Sequence, residues 1–402
     1  MRAGATGATN ASATPPTAWR MLGVVSLAQF LGMTLWFSAT AVTPLLITEF
    51  DIAPAHAAWL TMAVQAGFVA GTLLSALSNI ADILNARVLM FIGSLTGAAA
   101  NAAVLIAPGG TTVIGLRFLT GASLALVYPP AMKIAAGWFR DGRGFALGLL
   151  IGALTLGKAF PYLLTALFGA DWREPMLLAS GLAVIGGTVV VLLVRDGPFV
   201  APTAPFDPHA IRKVLASRGA RLATLGYLGH MWELYAMWTW IAVFATASFA
   251  ASGLAGASAA GSIAAFVAIG SGALGCGLAG YIADRVGRAR VAMWAMWCSA
   301  ACAALTLVVY GRAPWLLYAL IMLWGFSVVA DSAQFSALVS EYAPRDHVGT
   351  ALTLQTCAGF LLTMVTIELL PRVAEATSWQ WASLLLVPGP VLGAYAMKRL
   401  TR

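Results

Sequence analysis

Apolar residues run through the chain in twelve long blocks, each nearly free of charge and separated by short polar connections. The blocks lie near 21–46, 57–80, 88–107, 113–137, 145–168, 175–194, 222–249, 258–282, 291–310, 314–339, 348–370 and 379–397. A block of about 20 apolar residues is the length a helix needs to cross a bilayer, so the pattern predicts an all-α membrane protein of twelve transmembrane helices. Short connections make neighbouring spans antiparallel hairpins. The longest connection, 195–221, is predicted to be a linker; it holds Pro198, Pro202, Pro205 and Pro208, followed by Arg212, Lys213, Arg218 and Arg221. It divides the chain into a tail at 1–18, an N-terminal bundle at 19–194 and a C-terminal bundle at 222–402. The tail is rich in Ala, Thr, Gly and Pro and is expected to be disordered.

The second half repeats the first. Gly280-Tyr-Ile-Ala-Asp284-Arg285-Val-Gly287-Arg288 follows span 8, and a worn copy, Ser78-Asn-Ile-Ala-Asp82 with Arg87 beyond it, follows span 2. Asp284 follows Asp82 by 202 positions, as Trp238 follows Trp36. Leu119-Thr-Gly121-Ala-Ser123 returns as Leu323-Trp-Gly325-Phe-Ser327, and Ala146-Leu147 as Ala351-Leu352. Two parallel repeats with a site between them are a common construction of secondary transporters.

Composition strengthens the membrane reading: 60% of residues are hydrophobic and 9% charged, where a soluble domain carries about 25% charged. The net charge of +8 does not point to nucleic acid. With the N-terminus inside, 18 of the 23 Lys and Arg fall on the cytoplasmic side, which is the positive-inside pattern. It predicts both termini in the cytoplasm and, for a bacterial-type protein, residence in the inner membrane. Cys276, Cys298, Cys302 and Cys357 all lie within spans, without His or carboxylate companions, so neither disulfides nor a metal site is expected. No nucleotide-binding motif and no nucleophile–base pair emerges, so no cofactor and no enzymatic activity is expected.

The loop motif Gly280–Arg290, with Arg117-Phe-Leu-Thr-Gly121 in span 4 and Gly137-Trp-Phe-Arg140 before Arg143-Gly-Phe-Ala146, resembles the major facilitator superfamily over essentially the whole chain. The resemblance implies two six-helix bundles around a central cavity, lined by spans 1, 4, 7 and 10, and alternating access by rocking of the halves. The chain departs from three subfamily patterns. The sugar-porter pattern after span 6 is missing, as are the Gly-rich signature and the span 2 and 8 Arg residues of nitrate porters. The span 5 ending of drug/proton antiporters is replaced by Gly157-Lys158-Ala-Phe-Pro161.

Ionisable groups inside a membrane are costly and mark functional sites. Lys158, about 20 Å into span 5 at 1.5 Å per residue, stands near the midplane with Tyr162 one turn on. It is a candidate for an anionic substrate group, or else half of a buried pair with Glu233 or Asp331. Glu233 shares a face with His230, and Asp331 lies in a polar stretch with Gln334; all three acids and bases are candidates for proton coupling. Arg117 is a candidate substrate contact, linked to proton coupling through the family resemblance, or else a side chain that snorkels to the surface or pairs structurally. Trp36, Trp238, Tyr128, Gln334 and Gln355 complete the expected substrate site, with Gln29, Gln65 and Thr356 as further polar candidates. Of Trp232, Tyr235, Trp238 and Trp240, only some can face a cavity. Asp82 with Arg87, and Asp284 with Arg285 and Arg288, form candidate conformational latches, or else plain interfacial anchors.

The expected function is secondary transport of a small organic solute, an anion in the first instance, with protons as the coupling ion. The expected partners are the lipid bilayer, the substrate and protons, with no nucleic acid, and the protein is expected to be monomeric. Efflux of aromatic or cationic drugs is the alternative within transport. A non-transporting membrane sensor on the same fold is the alternative of another class.

Overall fold

The computed structural model describes residues 16–140, 142–169, 171–199 and 207–402, without the side chains of Pro54, Ala81, Asp82, Arg143 and Pro208. The described residues form helices along every predicted span, some of them broken. Among the described residues, ten helices are long and apolar enough to cross a membrane: Trp59–Ser78, Ala86–Ile106, Gly110–Trp138, Gly144–Phe168, Arg173–Leu193, Arg218–Ala251, Ala257–Val286, Arg288–Val309, Pro314–Tyr342 and Arg345–Ala376. The two remaining spans are interrupted. Span 1 runs as Pro16–Met33, Ser38–Ala41 and Thr43–Glu49. Span 12 runs as Trp379–Ala382, a tighter turn at Ser383–Leu386, and Pro388–Leu400. The first helix begins at Pro16, inside the stretch read as a tail; the rest of that stretch lies outside the described residues. The linker is also more ordered than a loop: Ile211–Ala216 is helical, and span 7 begins at Arg218.

Local side-chain chemistry accompanies the breaks in spans 1 and 4. In span 1 the Thr34 hydroxyl donates to Leu31 O at 2.7 Å and that of Ser38 to Leu35 O at 3.0 Å, side-chain bonds that compete with the helical ladder. In span 4 the helix stops at Leu124 and restarts at Tyr128, with Pro129 and Pro130 in its first turn where their missing N–H groups do no harm. Span 10 stops at Ala330 and restarts at Ser332, with Asp331 between. Tyr128–Trp138 and Ser332–Tyr342 start and end 204 residues apart, so both copies break at the same place.

The glycine repeat has its explanation in packing. A Cβ on Gly121 would collide with the carbonyl oxygen of Val64 in span 2, and one on Gly325 would collide with that of Ala268 in span 8. Small residues let membrane helices approach backbone to backbone, and the duplicated chain uses this crossing once in each bundle. Between the bundles, span 5 lies on span 8. There a Cβ on Gly148 would stand 3.1 Å from Cys276 O, and one on Gly152 would stand 3.0 Å from Ala273 O. Spans 2 and 11 meet where the Thr363 hydroxyl donates to Gln65 Oε1. These two seams enclose the centre of the molecule.

Candidate functional site at the centre of the two bundles

Lys158 sits at that centre, buried to 3% exposure. Its Nζ donates to the Tyr235 hydroxyl at 2.5 Å. It also lies 3.9 Å above the Trp36 ring, 4.7 Å from that of Tyr235 and 5.5 Å from that of Trp238. A ring face carries negative potential and attracts a cation, more so away from water. No carboxylate pairs with Lys158 among the described residues. The cage spans both bundles: Trp36 comes from the break in span 1, Tyr235 and Trp238 from span 7. Tyr162, one turn beyond Lys158, donates from its hydroxyl to Trp238 O at 2.9 Å.

More rings extend the cage. Trp36 meets Phe68 at 5.2 Å and Phe360 at 5.7 Å between centroids, and Phe68 meets Phe360 at 4.8 Å. Tyr128 stacks on Phe68 at 6.5 Å. Spans 1, 2, 7, 10 and 11 carry buried polar atoms without hydrogen-bond partners in the structure: the indole N–H groups of Trp36 and Trp238, both amide atoms of Gln29 and Gln355, Gln65 Nε2 and Gln334 Oε1. Buried polar groups are normally satisfied, so a set of orphans needs an account.

Glu233 and Asp331 face elsewhere, and neither is the partner of Lys158. Glu233 accepts from Trp324 Nε1 at 2.7 Å and from the Ser299 hydroxyl at 2.8 Å, inside the C-terminal bundle against spans 9 and 10. His230 Nδ1 stands 2.8 Å from Asp331 Oδ1, an ion-pair distance, though neither atom has a hydrogen bond of regular geometry. His230 Nε2 and the Ser332 hydroxyl share a bond of 2.9 Å. The span 10 break therefore carries a buried His–Asp–Ser group. Trp232 and Trp240 turn outward from the cage and donate to Leu385 O and Ile367 O, packing span 7 against spans 12 and 11.

Arg117 neither snorkels nor pairs with an acid. It is fully buried, and its donors go to Asn101 Oδ1 at 2.7 Å, the Ser38 hydroxyl at 3.2 Å, Leu35 O at 3.0 Å, Trp36 O at 2.7 Å and, at a long 3.5 Å, Leu60 O. Guanidinium has five N–H donors, so none is left over. The carbonyls freed by the break in span 1 are what hold it. Sequence spacing gave no hint of this, because the break is set by tertiary contacts.

The loop motifs also differ from the simple latch. Arg285 lies over the ring of Tyr281 on its own helix, at 4.1 Å, and donates to that hydroxyl rather than to Asp284. Arg288 Nε stands 2.8 Å from Glu341 Oε1, an ion pair tying span 9 to the end of span 10, and its other arm reaches Asp284 at 3.7 Å. Asp284 instead looks across to the other bundle: a Cβ on Gly144, in the first turn of span 5, would stand 3.2 Å from its Oδ1. Arg87 pairs with Asp196 at 3.3 Å and donates to Val194 O at 2.9 Å, closing span 3 on the end of span 6. The side chain of Asp82 lies outside the described residues. Phe68, Phe360, Asn101 and Glu341 were not anticipated, and Tyr235 was only one of four span 7 rings of which some could face a cavity. Tyr235 alone had a usable signal, its place three residues before Trp238 on one face.

The Major Facilitator Superfamily family model matches residues 25–275, and the model described as sugar (and other) transporter matches residues 225–399. The multidrug efflux pump LfrA of Mycolicibacterium smegmatis is 27% identical over 213 residues, which cover 51% of this chain and 41% of LfrA; the chain thus spans less than half the length of that relative. A crystal structure of a point mutant of the nucleoside transporter NupG superposes with a TM-score of 0.70 at 15% identity, over 95% of this chain and 100% of that one. The fold and the family match define a multi-pass secondary transporter, not an enzyme. The chain belongs to the major facilitator superfamily.

Proposed function

We propose that the protein moves a small organic anion by alternating access, coupled to protons, with Lys158 as the seat of the anionic group. One observation carries this reading: a buried ammonium at the junction of the two bundles, with no carboxylate partner among the described residues. An unpaired charge costs several kcal/mol in hydrocarbon, of order 2.5–3.5 on insertion scales. Cation–π contacts of about 2 kcal/mol each offset part of that. A counter-ion that arrives with the cargo would supply the rest. Proton carriage is assigned to Asp331 with His230, and to Glu233, because each is a buried acid held by groups that tolerate either protonation state. The experiment that tests the reading compares the thermal protection given by carboxylates with that given by cationic drugs, in the wild type and in Lys158→Ala.

The second reading is drug efflux. It is favoured by the likeness to LfrA, named as a multidrug efflux pump, and by the ring-lined centre. Protection by cationic drugs, undiminished in Lys158→Ala, would put it first.

The contact between bundles at Asp284 is proposed as the conformational latch. A carboxylate beside the first turn of span 5 meets free backbone N–H groups and the positive end of that helix. Asp284→Asn is expected to slow transport severalfold and to raise thiol reactivity of cysteines placed on the span 5 and span 8 seam, with substrate affinity of the empty carrier little altered. Unchanged rate and reactivity would exclude the latch. Both termini are proposed to be cytoplasmic: reporter fusions at Arg402 and within 195–221 should both read inside, and an external reading at either would refute the orientation.

A further inference from the structure

We infer that the cargo is a flat aromatic monocarboxylate bearing a hydrogen-bonding ring substituent, its carboxylate on Lys158 and its ring against the Trp36, Tyr235 and Phe360 faces. This rests on the organic-anion reading above and narrows it.

Three observations carry the inference. The first is the wall. The Lys158 ammonium is flanked by three ring faces, with Trp36 and Tyr235 5.7 Å apart and Tyr235 and Phe360 5.1 Å apart between centroids. Such faces prefer the positive edge or the offset face of another ring to a saturated chain of the same size.

The second is the count of unspent donors. Lys158 uses one of its three N–H groups on Tyr235, and the indole N–H groups of Trp36 and Trp238, whose rings both flank that ammonium, have no acceptor in the structure. Donors without acceptors suit a carboxylate, which only accepts. The orphaned amides of Gln29 and Gln355 offer both donors and acceptors, and Gln65 Nε2 offers donors. They come from spans 1, 2 and 11, which also carry the Trp36, Phe68 and Phe360 rings, and a ring hydroxyl or amino group would find a partner among them.

The third is the absence of a second free cation at the site among the described residues. The donors of Arg117 are all taken by Ser38, Asn101 and the carbonyls of Leu35, Trp36 and Leu60. His230 is held by Asp331 and Ser332. A second carboxylate on the cargo would be buried without a partner, which is strongly unfavourable. One cation implies one anionic group.

The test uses the full chain in detergent and four probes: para-hydroxybenzoate, its saturated-ring counterpart, hydroxyisophthalate with two carboxylates, and benzylamine. Affinity is read by thermal shift and by quenching of tryptophan fluorescence. We expect para-hydroxybenzoate to bind about tenfold or more tighter than the saturated acid and the diacid. Trp36→Leu is expected to lower the aromatic-to-saturated affinity ratio by about fivefold, and Phe360→Leu serves the same purpose if the first variant does not fold. Equal binding of the aromatic and saturated acids would overturn the aromatic assignment and leave the organic-anion reading intact. Diacid binding as tight as that of the monoacid would overturn the single-charge assignment. Binding of benzylamine with no binding of any acid would overturn both this inference and the reading beneath it.

Discussion

Lys158→Ala is expected to weaken binding of the cognate anion by ten- to a hundredfold while leaving the empty protein as heat-stable as the wild type, or slightly more so. The affinity loss follows from removing one partner of a charge-assisted bond, about 1.5–3 kcal/mol. The stability expectation follows from the site. Lys158 has no acid to strand, since Glu233 is held by Trp324 and Ser299 and Asp331 by His230. The substitution gives up one bond to Tyr235 and the ring contacts, and it also removes a buried unpaired charge, so the two changes oppose each other. Combining it with Glu233→Gln or Asp331→Asn should give additive changes in melting, because these groups share no partner with Lys158. Thermal-shift titration with carboxylates checks each arm. Normal affinity for every carboxylate in Lys158→Ala would remove the anion seat from the account. A markedly lower melting point of the ligand-free variant, restored by removing an acid, would return Lys158 to a buried pair.

Arg117→Met is expected to destabilise the protein strongly, by about 3 kcal/mol, because it leaves buried acceptors unpaired at about 1–3 kcal/mol each. Trp36 O would have no donor, and Leu35 O and Asn101 Oδ1 would be left to compete for the single proton of the Ser38 hydroxyl. At about 2–4 °C per kcal/mol for a chain this large, melting in detergent should fall by roughly 6–12 °C. Because Trp36 forms one wall of the Lys158 cage, anion affinity should fall too, although no donor of Arg117 is free for the substrate. Arg117→Lys should recover only part of the loss, since an ammonium cannot match the guanidinium fork. Melting of Arg117→Met at the wild-type temperature would show that the span 1 break does not depend on this residue.

The twelve spans, their hairpin order and the duplication were legible in the sequence because each depends on local quantities. Span length follows from the thickness of the bilayer, and the repeat follows from matching residues at matching offsets, such as Gly121 with Gly325. The position of Lys158 near the middle of span 5 could be counted off for the same reason. The neighbours of Lys158 could not. Tyr235 is 77 residues away and Trp36 more than a hundred, and their meeting depends on where span 1 breaks. That break is held in place by Arg117, a residue whose own spacing suggested the membrane surface.

The sequence by itself thus determined the solvent, the number of crossings, the family and the presence of four costly charges within the spans. Only the tertiary structure decided how those charges divide: Arg117 spent on carbonyls, Glu233 on hydroxyl and indole donors, Asp331 on His230, and Lys158 left among rings. The physical reason is that hydropathy records what it costs to place a group in the bilayer, whereas the compensation for that cost comes from partners on other helices. Those partners are brought within bonding distance by packing, which no periodicity along one helix encodes.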